Sequence, residues 1–270
     1  MCEVLEVSRA GYYKWLKRRV SERSQRALLL LSLIMQIFEE KNEIYGSPRV
    51  HEQLKAAGIK VNKKTVAKIM RENGMVARAK RRFKKTTDSN HHLPIAPNLL
   101  NREFDAKEPD EVWVSDITYL KTAKGWSYLA VFIDLYSRMV VGWSLSDSMP
   151  TELILGAFEM GLAQRGRAPK LVHSDRGSQY ASDDFRDLLK KHKCVQSMSR
   201  KGDCWDNAVA ESFFGVLKSE HIYHYSFETQ DQLELSLFEY IAIFYNRRRL
   251  HSSLGYITPE QKGQKGKKAA

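Results

Sequence analysis

A chain of 270 residues that is 43% hydrophobic can bury a core, as one large domain or a core domain with a smaller one, which excludes wholesale disorder. A net charge of +12 and a pI near 9.5 point to a polyanionic partner. Cys2, Cys194 and Cys204 are too few for a disulfide framework and lack CxxC or zinc-finger spacing, and the longest apolar run, 27–38, is too short to span a bilayer.

In chain order, Tyr12, Tyr13 and Trp15 stand among basic residues near the start, where they either stack on bases or anchor a small helix. Residues 24–41 hold good helix formers without Gly or Pro and predict a helix with a wide apolar face. A pair of short helices follows. Ser47 is expected to cap the first, with Pro48 in its first turn and Gly58 as its stop. Asn62 caps the second, Gly74 ends it, and Lys63, Lys64, Lys68 and Arg71 take its outer positions. This pattern predicts a helix-turn-helix; a helical hairpin without DNA contact is the alternative. Six of the ten residues 76–85 are basic, Arg78, Arg81 and Arg82 among them, and fit a run of phosphates. The proline-containing stretch after it reads as a linker.

Near Asp105 the pattern changes. EVWVSDITYL is apolar in both alternation phases, as a central strand buried on two faces requires, and Asp116 is the exception within it. WSYLAVFIDLY and RMVVGWSLS predict two more strands joined by hairpins. A helix from Pro150 or Thr151, the short strand KLVHS, a helix capped by Ser182, an edge strand at 195–198 and a long helix from about Asn207 complete the set. This is the order of an α/β ribonuclease-H-like fold: a mixed five-stranded sheet with flanking helices, here preceded by a small all-α region. Residues 228–246 predict another helix, and the Lys/Gly tail is expected to be disordered.

Three carboxylates stand out. Asp116 lies in an apolar strand, where a buried charge needs a metal or a basic partner. Asp175 follows a short strand, where open α/β sheets place their chemistry; its structural alternative is to cap the next turn. Glu211 falls on a helical stripe with Asn207, Phe214 and Lys218, beside an apolar stripe of Val209, Phe213, Val216 and Leu217. Phosphodiester cleavage needs an activated nucleophile and a stabilised leaving oxygen, which two divalent ions can supply, and a few acids suffice to hold them. Asp134, Asp147, Asp183, Asp184 and Asp206 are explained by turns and caps, with Asp206, beside the helix that carries Glu211, the first exception to expect. His221 and His224, three apart, have the spacing to share a ligand, but with no third ligand nearby they read as surface or phosphate-contacting groups.

The segments VWVSDITYL, HSDRGSQY, DNAVAESFFGVLKSE and NRRRLHSSLGYITP, with IYGSPRVHEQLKAAGIKVNKKTVAKIMRENGM before them, resemble the orfB-type transposases of bacterial insertion sequences, a DDE family whose core is shared with retroviral integrases. The 35 residues between Asp175 and Glu211, and Lys218 seven after Glu211, are its hallmarks. The resemblance implies Asp116, Asp175 and Glu211 as a catalytic, metal-binding triad with two Mg2+ or Mn2+ ions. It implies cleavage freeing 3′ hydroxyls at the element's ends, then strand transfer by those hydroxyls. The expected domains are an N-terminal helical segment (1–42), a helix-turn-helix-like region with a basic tail (43–85), a linker (86–104), the integrase core (105–224) and a C-terminal helix with basic tail (225–270). Double-stranded DNA is the expected partner, met through Lys218, Asn207, Arg176, Lys63, Lys64, Lys68, Arg78, Arg81, Arg82, Arg247 and Arg248. A homo-oligomer holding two DNA ends, an upstream-frame protein as fusion or partner, and a cytoplasmic, nucleoid-associated location in bacteria are further expectations. The alternative function is a non-catalytic DNA-binding regulator made from the downstream frame alone.

Overall fold

In the computed structural model, which describes residues 2, 4, 6–17, 21–78 and 93–269, the chain divides into two units, Met1–Arg78 and Ala79–Ala270. The first holds α1 (Arg9–Leu16), α2 (Glu22–Glu40), α3 (Ser47–Ala56) and α4 (Lys63–Glu72). Ile34, Tyr45, Val50, Leu54 and Val66 form its fully buried centre. Asn62 caps α4 by accepting from Lys64 N at 2.8 Å. Gly58 and Gly74, at φ +78° and +67°, end α3 and α4 in a conformation that suits glycine. The expected Ser47 cap is corrected: Gly46 is the cap residue, and no side chain bonds there. Pro48, in the first turn, lacks the N–H that a capping side chain would satisfy.

The second unit begins with β1 (Val112–Thr122), β2 (Gly125–Asp134) and β3 (Val140–Ser146). Then come α5 (Thr151–Arg165), β4 (Leu171–Ser174), α6 (Ser178–Ala181), α7 (Asp183–Lys191), β5 (Val195–Met198), α8 (Ala208–Glu220), α9 (Gln230–Phe238) and α10 (Pro259–Ala269). The sheet order is β3-β2-β1-β4-β5, antiparallel across the first three strands and parallel from β1 to β5. β1 is central, as its doubly apolar pattern demands. On one face Val114, Leu120, Leu129 and Val131 pack with Phe213 and Leu217 of α8 and Leu233 and Leu237 of α9. On the other, Trp113, Phe132 and Val141 meet Ile154 and Phe158 of α5 and Phe185 of α7. A Cβ added at Gly142 would come within 2.1 Å of Ala157 O, so α5 lies almost in backbone contact with β3. No helix of the described residues is long and apolar enough to cross a membrane.

Two expectations beyond the core are corrected. The Lys/Gly tail is helical as α10, with Gly263 and Gly266 buried three residues apart on one face. A side chain at Gly266 would strike Pro109 and Tyr136, while Lys262 Nζ sits 4.4 Å from the Tyr136 ring; small residues let this helix dock. The two histidines also serve packing. His224 Nε2 lies 2.8 Å from Ser219 O. His221 Nε2 lies 2.7 Å from Ser236 Oγ, and its ring stacks on Tyr240 at 4.9 Å.

Burial lowers the His221 pKa from 6.5 to about 4. Below pH 6.5 the unfolded chain therefore binds a proton that the folded one refuses. The stability contribution is complete above pH 6.5 and is lost as pH falls towards about 4, amounting at most to roughly 3 kcal/mol. His221→Phe, which keeps the stack, should flatten the fall in urea stability across that window; an unchanged slope would exclude His221 as the cause.

Candidate active site

The site follows from register. β4 pairs with β1 only from Val112↔Leu171 to Val114↔His173 and stops at Ser174, whereas β1 continues alongside β2 to Thr122. Followed two residues past the end of this ladder, the same parallel register runs to Asp116 and Asp175, and the charge of Asp175 acts on the Asp116 carboxyl. Beyond Val114 that edge of β1 pairs with no strand among the described residues, which leaves room for side chains from α8. Asp116 Oδ1 accepts from Ile117 N at 2.8 Å. Asp175 Oδ1 accepts from Gly177 N at 2.9 Å, so it does cap the following turn.

Glu211 enters from the first turn of α8 and is exposed. The start of that helix is locked in place. Asp206, wholly buried, accepts from Arg200 N at 2.8 Å, Arg200 Nη2 at 2.7 Å, Arg102 Nε at 2.8 Å and Asn98 Nδ2 at 2.8 Å. The Arg200 guanidinium, chief among these, holds its carboxyl well below the usual range. Asp206 is thus the exception to the turn-and-cap reading: it is an ion-pair hub. Asn207 Nδ2 donates to Ser115 O at 2.9 Å, tying α8 to the residue before Asp116. Asn207 is only 4% exposed, so here it fastens α8 to β1 rather than standing open to a phosphate. Phe214 is buried with Phe213, so the proposed polar stripe is interrupted. Lys218, two turns after Glu211, donates from Nζ to Thr118 Oγ1 at 2.7 Å and lies 4.7 Å from the Tyr119 ring. Thr118 was missed in the sequence, although its place two residues after Asp116 puts it on the same face of β1.

The electrostatics tie these groups together. Burial, then the charge of Asp175, pushes the Asp116 carboxyl well above its ordinary range; Glu211 adds to this, while the Ile117 N–H and Lys218 oppose it. Burial lowers the Lys218 ammonium against the pull of Asp116. Mutually repelling carboxylates at a partly buried strand edge suit a divalent cation, which would restore their ionised forms. Among the described residues no three His, Cys, Asp or Glu side chains are gathered so as to hold an ion by themselves. Magnesium asks less than that, since one or two carboxylates with substrate phosphates and waters are its usual shell. Beneath the site His173 is buried between Ser197 Oγ at 2.8 Å and Ser199 Oγ at 3.2 Å, with burial lowering its pKa to about 4.

The remaining expected DNA contacts are spread over both units. Lys63, Lys64 and Lys68 are exposed on α4, and Lys68 lies 3.7 Å from Glu72. Arg78 pairs with Glu43 at 2.9 Å, and Arg81 and Arg82 fall outside the described residues. Arg176 Nε donates to Ser199 O at 2.6 Å. Arg247 and Arg248 are exposed, with Arg247 3.5 Å from Glu260.

Comparison with known proteins agrees with this architecture. Residues 25–83 match the family model of an HTH-like domain, and residues 106–204 and 192–259 each match a model of an integrase core domain. The chain is 44% identical over 264 residues to the transposase InsF for insertion sequence IS3A of Escherichia coli (strain K12), covering 97% of this chain and 92% of that one. It is also 44% identical over 260 residues to the insertion element IS600 uncharacterized 31 kDa protein of Shigella sonnei, covering 96% of each. In fold it is similar to a chain of the simian T-cell lymphotropic virus intasome in complex with PP2A regulatory subunit B56 gamma, with TM-score 0.50, 15% identity, and coverage of 85% of this chain and 74% of that one.

Proposed function

The chain belongs to the InsF-type transposases of IS3 insertion sequences, and from that premise we propose that it cuts the 3′ ends of its element and joins them to target DNA in a metal-dependent reaction. The observation that supports this most is the Asp116 carboxyl raised by burial and by the charges of Asp175 and Glu211, on strands whose parallel register runs towards Asp116 and Asp175. Asp116, Asp175 and Glu211 would hold two Mg2+ or Mn2+ ions. Such ions, when bound, activate the attacking oxygen and stabilise the leaving one.

The chain's own groups do the rest. The Asp206 hub and the Asn207–Ser115 bond fix Glu211 with respect to β1. Lys218, anchored on Thr118, presents a cation beside the carboxylates, suited to a substrate phosphate. The exposed lysines of α4 add sequence-tolerant attraction for the duplex. The domain division at 1–42, 43–85, 86–104, 105–224 and 225–270 belongs to the same proposal, as do a homo-oligomer holding two ends and an upstream-frame partner.

The test is a strand-transfer assay with a duplex carrying the element's own terminal sequence and a target plasmid. Joined products should form in Mg2+ or Mn2+ and vanish with EDTA. DNA that is bound but never nicked in either metal would favour the regulator instead, and joining in EDTA would remove the metal from the proposal.

A further inference from the structure

The β1–β2 hairpin carries a feature that the proposed chemistry leaves unused. Trp126, near its tip, is 51% exposed. The indole meets the Tyr119 ring in a T-shaped contact, with centroids 4.9 Å apart at 80°, and Lys218 Nζ sits 4.7 Å from that same Tyr119 ring. Across the strands Trp126 is paired with Lys121, which is exposed, as is Lys124 two residues before the indole. A half-exposed indole is thus in contact with one aromatic ring, on a hairpin that also carries the exposed Lys121 and Lys124.

We propose that Trp126 is a stacking platform for an unpaired base of the DNA strand next to the phosphate being cut. This rests on reading the carboxylates as the point of cleavage; Tyr119 and Trp126 lie on the opposite face of the hairpin from Asp116 and Thr118, and Lys218, bonded to Thr118 and over the Tyr119 ring, spans the edge between the two faces. Lysine is depleted at the cores of protein–protein interfaces, and a lone indole is too small for an apolar docking patch, so the surroundings favour a nucleic acid. Aromatic stacking with nearby cations is the chemistry by which single-stranded nucleic acid is held without regard to sequence. Where the strand at the carboxylates is parted from its complement, a ring at the hairpin tip offers the displaced base a replacement stack.

The probe is a short DNA duplex with a single-stranded 3′ extension containing 2-aminopurine, bound by the full chain in EDTA so that nothing is cut. The unsubstituted protein should quench the 2-aminopurine. Trp126→Ala should abolish the quench and weaken binding of the extended duplex roughly 5- to 100-fold. It should leave affinity for a blunt duplex unchanged, which also controls for folding. Trp126→Phe should keep most of both signals. A quench that survives Trp126→Ala, or an equal loss of affinity on blunt and extended DNA, would overturn the platform. Asp116→Asn should quench as the unsubstituted protein does. If strand transfer proved indifferent to Asp116 while the quench still followed Trp126, the cleavage-site reading would fall and the platform would stand.

Discussion

Asp116→Asn, Asp175→Asn and Glu211→Gln are each expected to lower strand transfer by about a thousandfold or more, with DNA binding retained. Each amide keeps the shape of the carboxylate and removes the charge that would hold a divalent ion. The loss of several kcal/mol of transition-state stabilisation corresponds to a factor of that order. Stability separates this effect from simple damage to the fold. Asp116 is a carboxylate raised by burial and by its neighbours Asp175 and Glu211, so without metal Asp116→Asn relieves a repulsion. Its melting temperature in EDTA should therefore equal or exceed that of the unsubstituted protein. Retained strand transfer in any one variant would sink the triad, as would inactivity accompanied by a melting temperature several degrees lower.

Much of this site could be read from local pattern, and what could not depended on distant partners. β1 declares itself central because both of its alternation phases are apolar, and the sheet places it between β2 and β4. The strand KLVHS and the helix beginning near Asn207 are equally plain, so the elements carrying Asp175 and Glu211 were legible. That the ends of these segments run towards one another required the parallel offset of β1 and β4, which no local spacing encodes. Asp206 shows the limit of turn chemistry: its place beside α8 marked it as an exception, but its bond to Arg102, 104 positions away, is encoded in no local spacing. Asp110 went unremarked for the same reason. It is buried against Arg165 at 2.6 Å and Arg167 at 2.7 Å, partners far along the chain. The C-terminal tail read as disordered from its Lys and Gly content, yet Gly263 and Gly266 provide the narrow face by which α10 packs near Tyr136. Composition described that segment and missed its geometry.

The second large effect is expected where α8 ends. Glu220 receives Arg249 Nε at 2.7 Å and Nη2 at 2.8 Å, and Tyr240 Oη donates to it at 3.1 Å. Both charged side chains are buried, Arg249 at 4% and Glu220 at 9% exposure. Within the run NRRRL, Arg249 thus turns inward while Arg247 and Arg248 stay exposed. Removing one partner leaves the other as an uncompensated buried charge, so Arg249→Met or Glu220→Gln alone should cost about 3–5 kcal/mol. The double variant Glu220→Gln/Arg249→Met should recover much of that loss, because the pair itself is worth little beyond its desolvation. Urea denaturation of the three variants checks this, and a single-variant cost below about 1 kcal/mol would show that the pair does not hold the helix. Activity should follow stability here. α8 carries Glu211 and Lys218, so an end released from Arg249 frees the helix to move relative to β1. Strand transfer should then decline with the folded fraction and return in the double variant, whereas no second substitution of this kind would restore the stable but inactive Asp116→Asn.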